Sequence, residues 1–373
     1  MNYIEKIEAL KQNLKTEYIA LDEIINIINL EKNLDEINYF HTYLMDKLIN
    51  LSQFECSNVN LNYSKDSCDC KKSLFNMEDK KRGDKIYFFN NSSAKYYIFG
   101  DIHSDSITLI EFLNKIFSNK KLIEDEKIRL IFLGDYIDRG HAPFKTLELI
   151  FILKYLFPEN IFLLRGNHDG GKILEDNNYK LCVGRNDGTT DEDYFVASLY
   201  NKLQSKNKSL KLLQTYLDFF NSLCTLALIK SKEEIIMCVH GGIPRANEDF
   251  NNYDHLHNIN DLCSESILDK LNDSVTYNML WSDPSEDISL KRDTRRFYFY
   301  EDSFSNFIEK FNIDKIVRGH QAFDEGFKEF FNKQLISIFS SGKCPIKNLE
   351  TAYEDIIPCA LKIHNGTYTT IRL

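Results

Sequence analysis

Hydrophobic positions along this chain change their spacing twice. Residues 1 to 54 contain no Gly or Pro, and Ile4, Ile7, Leu10, Leu14, Ile19, Leu21, Ile24, Ile25, Ile28 and Leu30 recur at three- and four-residue intervals. That is the period of a helix face. Residues 35–51 repeat it with Ile37, Phe40, Leu44, Leu48 and Leu51, so two or three helices are predicted over 1–54. Such stripes are usually packing faces, so this N-terminal extension is read as a cap on the main domain, with partner binding as the lesser reading. Residues 55–85 are polar and rich in turn formers, which predicts a linker or exposed loop. Cys56, Cys68 and Cys70 lie in it at a spacing that matches no standard pair of zinc knuckles, so they are read as incidental.

From residue 86 to 373 the pattern is that of a single main domain of short apolar runs. Lys95 to Gly100 predicts a strand and 106–117 a helix. Ile128 to Leu133 is a β-branched run ending at Gly134, residues 144–156 are helical, and Ile161 to Leu164 is a second run ending at Gly166. A strand, helix, strand unit implies a parallel pair. Further runs at 235–239 and 315–317 stop on His240-Gly241-Gly242 and Arg318-Gly319-His320. The amphipathic stretch 194–228 predicts helices of a cap insertion, and 335–341 and 359–373 predict two or three further strands. The fold class is α/β, with a mixed sheet.

Composition narrows the partners. A net charge of −10 and a pI near 5.5 argue against a nucleic-acid binder, which usually needs a basic excess. Nine cysteines without regular spacing, and an N-terminus carrying Glu5, Lys6, Glu8, Lys11 and Lys15 in place of an apolar signal core, predict a reducing, cytoplasmic setting. No apolar run reaches the length of a membrane span.

Ligands of open α/β sheets sit outside the carboxyl ends of the strands. There the apolar runs stop on Asp101, His103, Asp135, Asn167, His240 and His320, all oxygen or imidazole donors. Such a set suits two divalent ions, Mn or Fe or Zn. Asp135 is the expected bridge, Asp101 and His103 complete one site, and Asn167, His240 and His320 the other. Two divalent ions carry more positive charge than Asp101, Asp135 and one hydroxide cancel, and the neutral Asn167 preserves the surplus for an incoming phosphate. Arg139 can grip the phosphoryl oxygens bidentately. His168 is the candidate general acid and Asp138 its orienting carboxylate. A lone His at a strand end is usually structural, but five polar stops that each end an apolar strand are not independent accidents.

The motifs GDIH at 100–103, GDYIDRG at 134–140, RGNHD at 165–169, HGG at 240–242, LWSDP at 280–284 and RGH at 318–320 closely resemble those of the PPP family of metal-dependent serine/threonine phosphatases, within the metallophosphoesterases. The resemblance covers about residues 95–373. It implies a β-sandwich of two mixed sheets flanked by helices, the six metal ligands above, and Asn167 as a contact to the substrate phosphate as well. It also implies a second phosphate-binding arginine after LWSDP; KRDTRRFYFY at 291–300 breaks the register, leaving Arg292, Arg295 or Arg296, with Arg295 favoured. Ser104 replaces the family's glycine and Asp169 its glutamate. SSGKCP follows Phe339 where eukaryotic members carry SAPNYC, so that the tyrosine position falls near Cys344.

The function so implied is dephosphorylation of phosphoserine and phosphothreonine proteins, with phosphotyrosine depending on pocket depth, by direct attack of a metal-bound hydroxide. A dinucleoside tetraphosphate hydrolase shares many of these motifs and is the alternative enzyme. A silent binding module that keeps the fold is the alternative from another class, and the intact ligand set argues against it.

Overall fold

The computed structural model describes residues 2–14, 16–57, 68–75, 78–83, 85–117, 123, 125, 127–183, 194–247, 251–263, 275–289, 298–342 and 353–373. Helices α1 (Tyr3–Asn13), α2 (Leu21–Ile28) and α3 (Leu34–Ser57) open the chain, followed by α4 (Cys70–Phe75). Asn2 caps α1 in a reciprocal box with Glu5. No helix among the described residues is long and apolar enough to cross a membrane.

Two mixed sheets follow. In the first, β3 (Lys95–Phe99), β4 (Ile128–Phe132) and β5 (Ile161–Leu163) run parallel, and β15 (Cys359–His364) and β16 (Thr367–Arg372) add antiparallel beside β3. The second sheet orders β1 (Lys81–Arg82), β2 (Ile86–Phe89), β8 (Leu226–Ser231), β9 (Glu234–Val239), β12 (Lys315–Arg318), β14 (Leu335–Ile338) and β13 (Phe327–Phe330). In it β9, β12 and β14 are parallel neighbours. Two small ribbons complete the strands, β6 (Gly171–Ile173) with β7 (Tyr179–Leu181), and β10 (Asp283–Pro284) with β11 (Tyr298–Phe299).

Period-two alternation explains the layering. Tyr96, Ile98, Ile131 and Leu133 of the first sheet meet Ala227, Ile229, Ile236 and Cys238 of the second in the core between them. The opposite faces carry Tyr97, Phe99, Leu130 and Phe132 on one side and Leu226, Leu228, Met237 and Val239 on the other. Helices α5 (Ser106–Ile116), α6 (Pro143–Leu156), α7 (Phe195–Ser205) and α8 (Lys211–Ser222) cover the first outer face. Helices α4, α9 (Val275–Trp281) and α10 (Glu301–Phe311) cover the second.

Helix α6 explains the N-terminal extension. Every residue from Thr146 to Leu156 is buried, so α6 has no solvent face and must be covered on all sides. The sheet covers one side and α1–α3 the other, through Ile7, Ile24, Ile28, Phe40 and Leu44. Each such side chain contributes roughly 1.5–3 kcal/mol on leaving water.

The stretch 55–85, predicted as a linker, holds more structure than its polarity suggests. Glu55 lies in α3, and α4, β1 and the start of the second sheet follow. Charge pairs anchor it: Arg82 and Lys154 both bind Glu55, and Asp79 grips the buried Arg129. Cys68 and Cys70 are buried in the outer core beside Leu74. Polar anchors of this kind leave no hydrophobic periodicity to read. In 194–228, α7 and α8 appear as expected, but the apolar end of the stretch is the start of strand β8. The tail forms three strands, β14, β15 and β16.

Candidate active site

The polar stops of five parallel strands meet at one edge of the sandwich. Asp101 and His103 follow β3, Asp135 follows β4, Asn167 and His168 follow β5, His240 follows β9 and His320 follows β12. The two sheets are stitched there by a bridge from Asp101 to Phe339.

The backbone at this edge is unusual. His103, Asp135, Asp138, Arg139 and His320 all have positive φ, a conformation that non-glycine residues adopt only where surrounding bonds force it. Those bonds are present. Asp135 O accepts from Ile102 N and His103 N, Ser104 N donates to Tyr136 O, and His320 N donates to Asp101 Oδ1 at 2.7 Å. A methyl group at Gly166 would sit 2.1 Å from Asp135 Oδ1, so only glycine admits this close approach.

Asp135 lies at the centre. Its Oδ2 is 3.3 Å from His240 Nε2 and 3.6 Å from His103 Nε2, and its Oδ1 accepts from His168 N. Asp101 Oδ2 is also 3.6 Å from His103 Nε2, and Asn167 Oδ1 lies 2.7 Å from His240 Nε2. Two triads of donor atoms, His103–Asp135–His168 and Asp135–His240–His320, each converge within 4.8 Å and share Asp135.

Electrostatics follow from burial. Asp101 and Asp135 are 1% exposed. Burial pushes the Asp101 carboxyl up; His240 pulls it down and the Asp135 charge raises it again, to about 6. Burial also opposes ionisation of Asp135, but His240, His168 and His103 outweigh it and hold Asp135 well below the usual carboxylate range. Burial disfavours a proton on His240, yet Asp135 and Asp101 retain one up to about 9. His103, with burial dominant, falls to about 3. The cluster thus demands cationic charge, which a proton on His240 supplies in part. Hard oxygen and imidazole donors around a shared carboxylate are a chemically suitable cradle for two divalent ions.

His168 is held differently. Its Nδ1 lies 2.7 Å from Asp138 Oδ2, and among the described residues Nε2 has no hydrogen-bond partner. Burial works against its proton, but Asp135 and the Asp138 hydrogen bond prevail and its pKa is raised. Arg139 is exposed beside them, and its positive charge acts on both His103 and His168. Arg292, Arg295 and Arg296 lie outside the described residues, as does Cys344.

Three functions at this site were not assigned from sequence. Asp169, noted only as a replacement for glutamate, accepts from Asp135 N, Tyr136 N and Gly166 N and so fixes the central loop. In LWSDP, Trp281 packs edge-on against His320 at 5.6 Å, and Asp283 pairs at 2.9 Å with Arg318, both fully buried. Tyr353 stacks on His103 with ring centroids 5.5 Å apart. Conversion of Glu to Asp in RGNHD was the only signal for the first, and nothing in the spacing pointed to Tyr353.

Comparisons with known proteins bear on this site. The Calcineurin-like phosphoesterase family matches residues 94–323. A probable serine/threonine-protein phosphatase of Encephalitozoon cuniculi is 29% identical over 254 residues, 67% of this chain. The aligned part spans only 47% of that relative's length. The serine/threonine-protein phosphatase PP1-delta of Caenorhabditis elegans is 30% identical over 246 residues, covering 65% of this chain and 68% of the relative. Among solved structures, a protein serine/threonine phosphatase from Saccharomyces cerevisiae with similarity to human phosphatase PP5 matches the fold. Its TM-score is 0.59 at 19% identity, over 90% of this chain and 89% of its own.

Proposed function

Because this chain belongs to the calcineurin-like phosphoesterase family, we propose that it is a metal-dependent phosphomonoesterase acting on phosphoserine and phosphothreonine in proteins. The single observation that carries the reading is the pair of donor groups sharing buried Asp135, His103–Asp135–His168 and Asp135–His240–His320, with His168 of the first also held by Asp138. Likeness to proteins named serine/threonine phosphatases supports a protein substrate over the dinucleoside tetraphosphate alternative.

Asp101, His103 and Asp135 would hold one ion, and Asp135, Asn167, His240 and His320 the other, Mn or Fe being the first choices and Zn the next. When bound, the ions supply charge to the phosphoryl oxygens and acidify a water for attack. The remaining chemistry belongs to the chain. Arg139, exposed at the rim, would grip the phosphoryl group, joined by one of Arg292, Arg295 and Arg296, with Arg295 favoured. Asn167 would add an amide contact to the same group. His168, whose protonated form Asp135 and Asp138 favour, would place its Nε2 proton on the leaving oxygen.

Helices α1–α3 would act as a cap that shares the catalytic core, although α3 continues past residue 54 to Ser57 and the second sheet already begins at β1 before residue 85. Eight described cysteines, all free thiols, support a reducing, cytoplasmic setting. The test is a side-by-side assay with Mn of a phosphothreonine peptide, a phosphotyrosine peptide and diadenosine tetraphosphate, with Asp135→Asn as the blank. Peptide turnover lost in the variant supports the proposal. Turnover of the dinucleotide alone would move the protein to nucleotide chemistry.

A further inference from the structure

The two oxygens of Asp138 have different partners. Oδ2 holds His168 Nδ1 at 2.7 Å, and Oδ1 accepts the main-chain N–H of Phe195 at 2.6 Å. Phe195 is the first residue of α7, and the N-cap residue, Tyr194, makes no side-chain capping bond to the helix. Asp138 therefore satisfies an N–H that the helix leaves open, and its negative charge suits that end of the helix dipole. A carboxylate bonded at both oxygens cannot turn about its terminal torsion. The imidazole it holds then keeps one plane.

Phe195 is itself clamped. Its buried ring meets Phe144 of α6 edge-on at 5.4 Å and Tyr216 of α8 edge-on at 5.1 Å. Both of those rings also pack edge-on against His41 of α3, at 5.9 and 5.8 Å. The Tyr216 hydroxyl lies 2.5 Å from His41 Nδ1. A continuous run of contacts therefore leads from the N-terminal helices to the His168–Asp138 pair.

We propose that Phe195 is the positioning residue of this pair: its main-chain N–H fixes Asp138, and through it His168, while the ring clamp anchored by His41 holds the N–H in place. This rests on the reading of His168 as general acid. The N-terminal helices thereby become part of the catalytic apparatus, and not only a cover.

Proline separates the N–H from the ring. Phe195 stands at the helical position where proline is accepted, and Tyr194 before it is extended (φ −101°, ψ 136°), the conformation a following proline requires. In the full chain with Mn, Phe195→Ala removes the ring alone and Phe195→Pro removes ring and N–H together. Two substrates are compared: a phosphothreonine peptide, whose alkoxide leaving group needs a proton, and 4-nitrophenyl phosphate, whose phenolate scarcely does. Relative to Phe195→Ala, Phe195→Pro is expected to lower kcat on the peptide by a further factor of about ten. KM, bound metal and nitrophenyl phosphate turnover should stay within about twofold.

Wild-type peptide kcat in the proline variant, or equal slowing of both substrates, overturns the proposal. His168→Asn distinguishes the underlying reading. If it slows both substrates equally, the acid assignment fails; if it discriminates between them and Phe195→Pro does not, only the positioning role fails. Should the proline variant melt below the assay temperature, Tyr216→Phe and Phe144→Leu loosen the same clamp from outside α7. A peptide-selective loss in them supports the proposal, and a loss shared by both substrates, or none, overturns it.

Discussion

Glu148 Oε1 lies 2.9 Å from His41 Nε2, joining α6 to the N-terminal helix α3 through two side chains no more than 2% exposed. Lys32 closes the group from the α2–α3 turn at 2.9 Å on the other carboxylate oxygen. Buried polar groups of this kind are costly when half satisfied, because the low-dielectric interior offers no replacement partner. Their placement makes the contact between cap and catalytic core specific as well as apolar.

His41→Leu should therefore destabilise the whole protein by about 2 kcal/mol, since it leaves Tyr216 and one oxygen of Glu148 without a partner. Tyr216→Phe, which removes one hydroxyl, should cost about 1 kcal/mol. Urea denaturation measures both. A His41→Leu midpoint equal to wild type would show that the network adds nothing to stability.

Asp135→Asn should abolish turnover of every phosphoester and lower bound metal, because this carboxylate belongs to both donor triads. Metal analysis of the purified variant beside wild type checks it. Full metal content with full activity would remove Asp135 from the site.

The alkaline limb of the pH profile should report His168. Its pKa is raised because Asp135 and Asp138 together overcome burial. The acid form thus persists to higher pH than in a free imidazole, and turnover of a phosphothreonine peptide should fall as pH rises through that raised value. Asp138→Asn removes one of the raising groups, so the same fall should begin at lower pH. A limb that stays in place in this variant would separate Asp138 from the acid.

Metal affinity should rise with pH. In the metal-free protein, burial and Asp135 hold a proton on Asp101 up to about 6, and the two carboxylates hold one on His240 up to about 9 against the effect of burial. Both protons must leave for the side chains to ligate, so binding is opposed below these values and tightens as pH climbs toward them. Titration with Mn at three pH values between 5.5 and 8 follows this directly. At about a hundredfold excess over Kd, bound metal should add about 2.7 kcal/mol to stability, lost on chelation. A pH-independent affinity would contradict the protonation scheme.

Much of the site was legible because chemistry and secondary structure coincide there. Apolar runs ending on Asp101, Asp135, Asn167, His240 and His320 marked strand ends, and in parallel sheets all such ends face one edge. Helix α6 was legible as a helix. That it lacks a solvent face, and is covered on its outer side by α1–α3, was visible only in the structure. The order within 55–85 was not legible, since it depends on Glu55 and Asp79 finding partners 50 or more residues away at Lys154 and Arg129, and on Arg82 bonding Glu55 and the Ser222 carbonyl. A salt bridge between distant residues has no period. Strand β2, Ile86–Phe89, is buried on both faces and short, so its pattern could not be told from any other apolar run.

The sequence by itself determined the donor set, the α/β class and the helical nature of the N-terminus, because these follow from residue type and local spacing. Tertiary structure alone decided that Asp169 holds three backbone N–H groups of the central loops, that Trp281 packs on His320 and Tyr353 on His103, and that Phe195 holds Asp138 from 57 residues away. The reason is physical. Spacing along a chain fixes which groups share a face of one element, whereas the contacts that orient a reacting group come from elements brought together only when two sheets and their helices close on a common core.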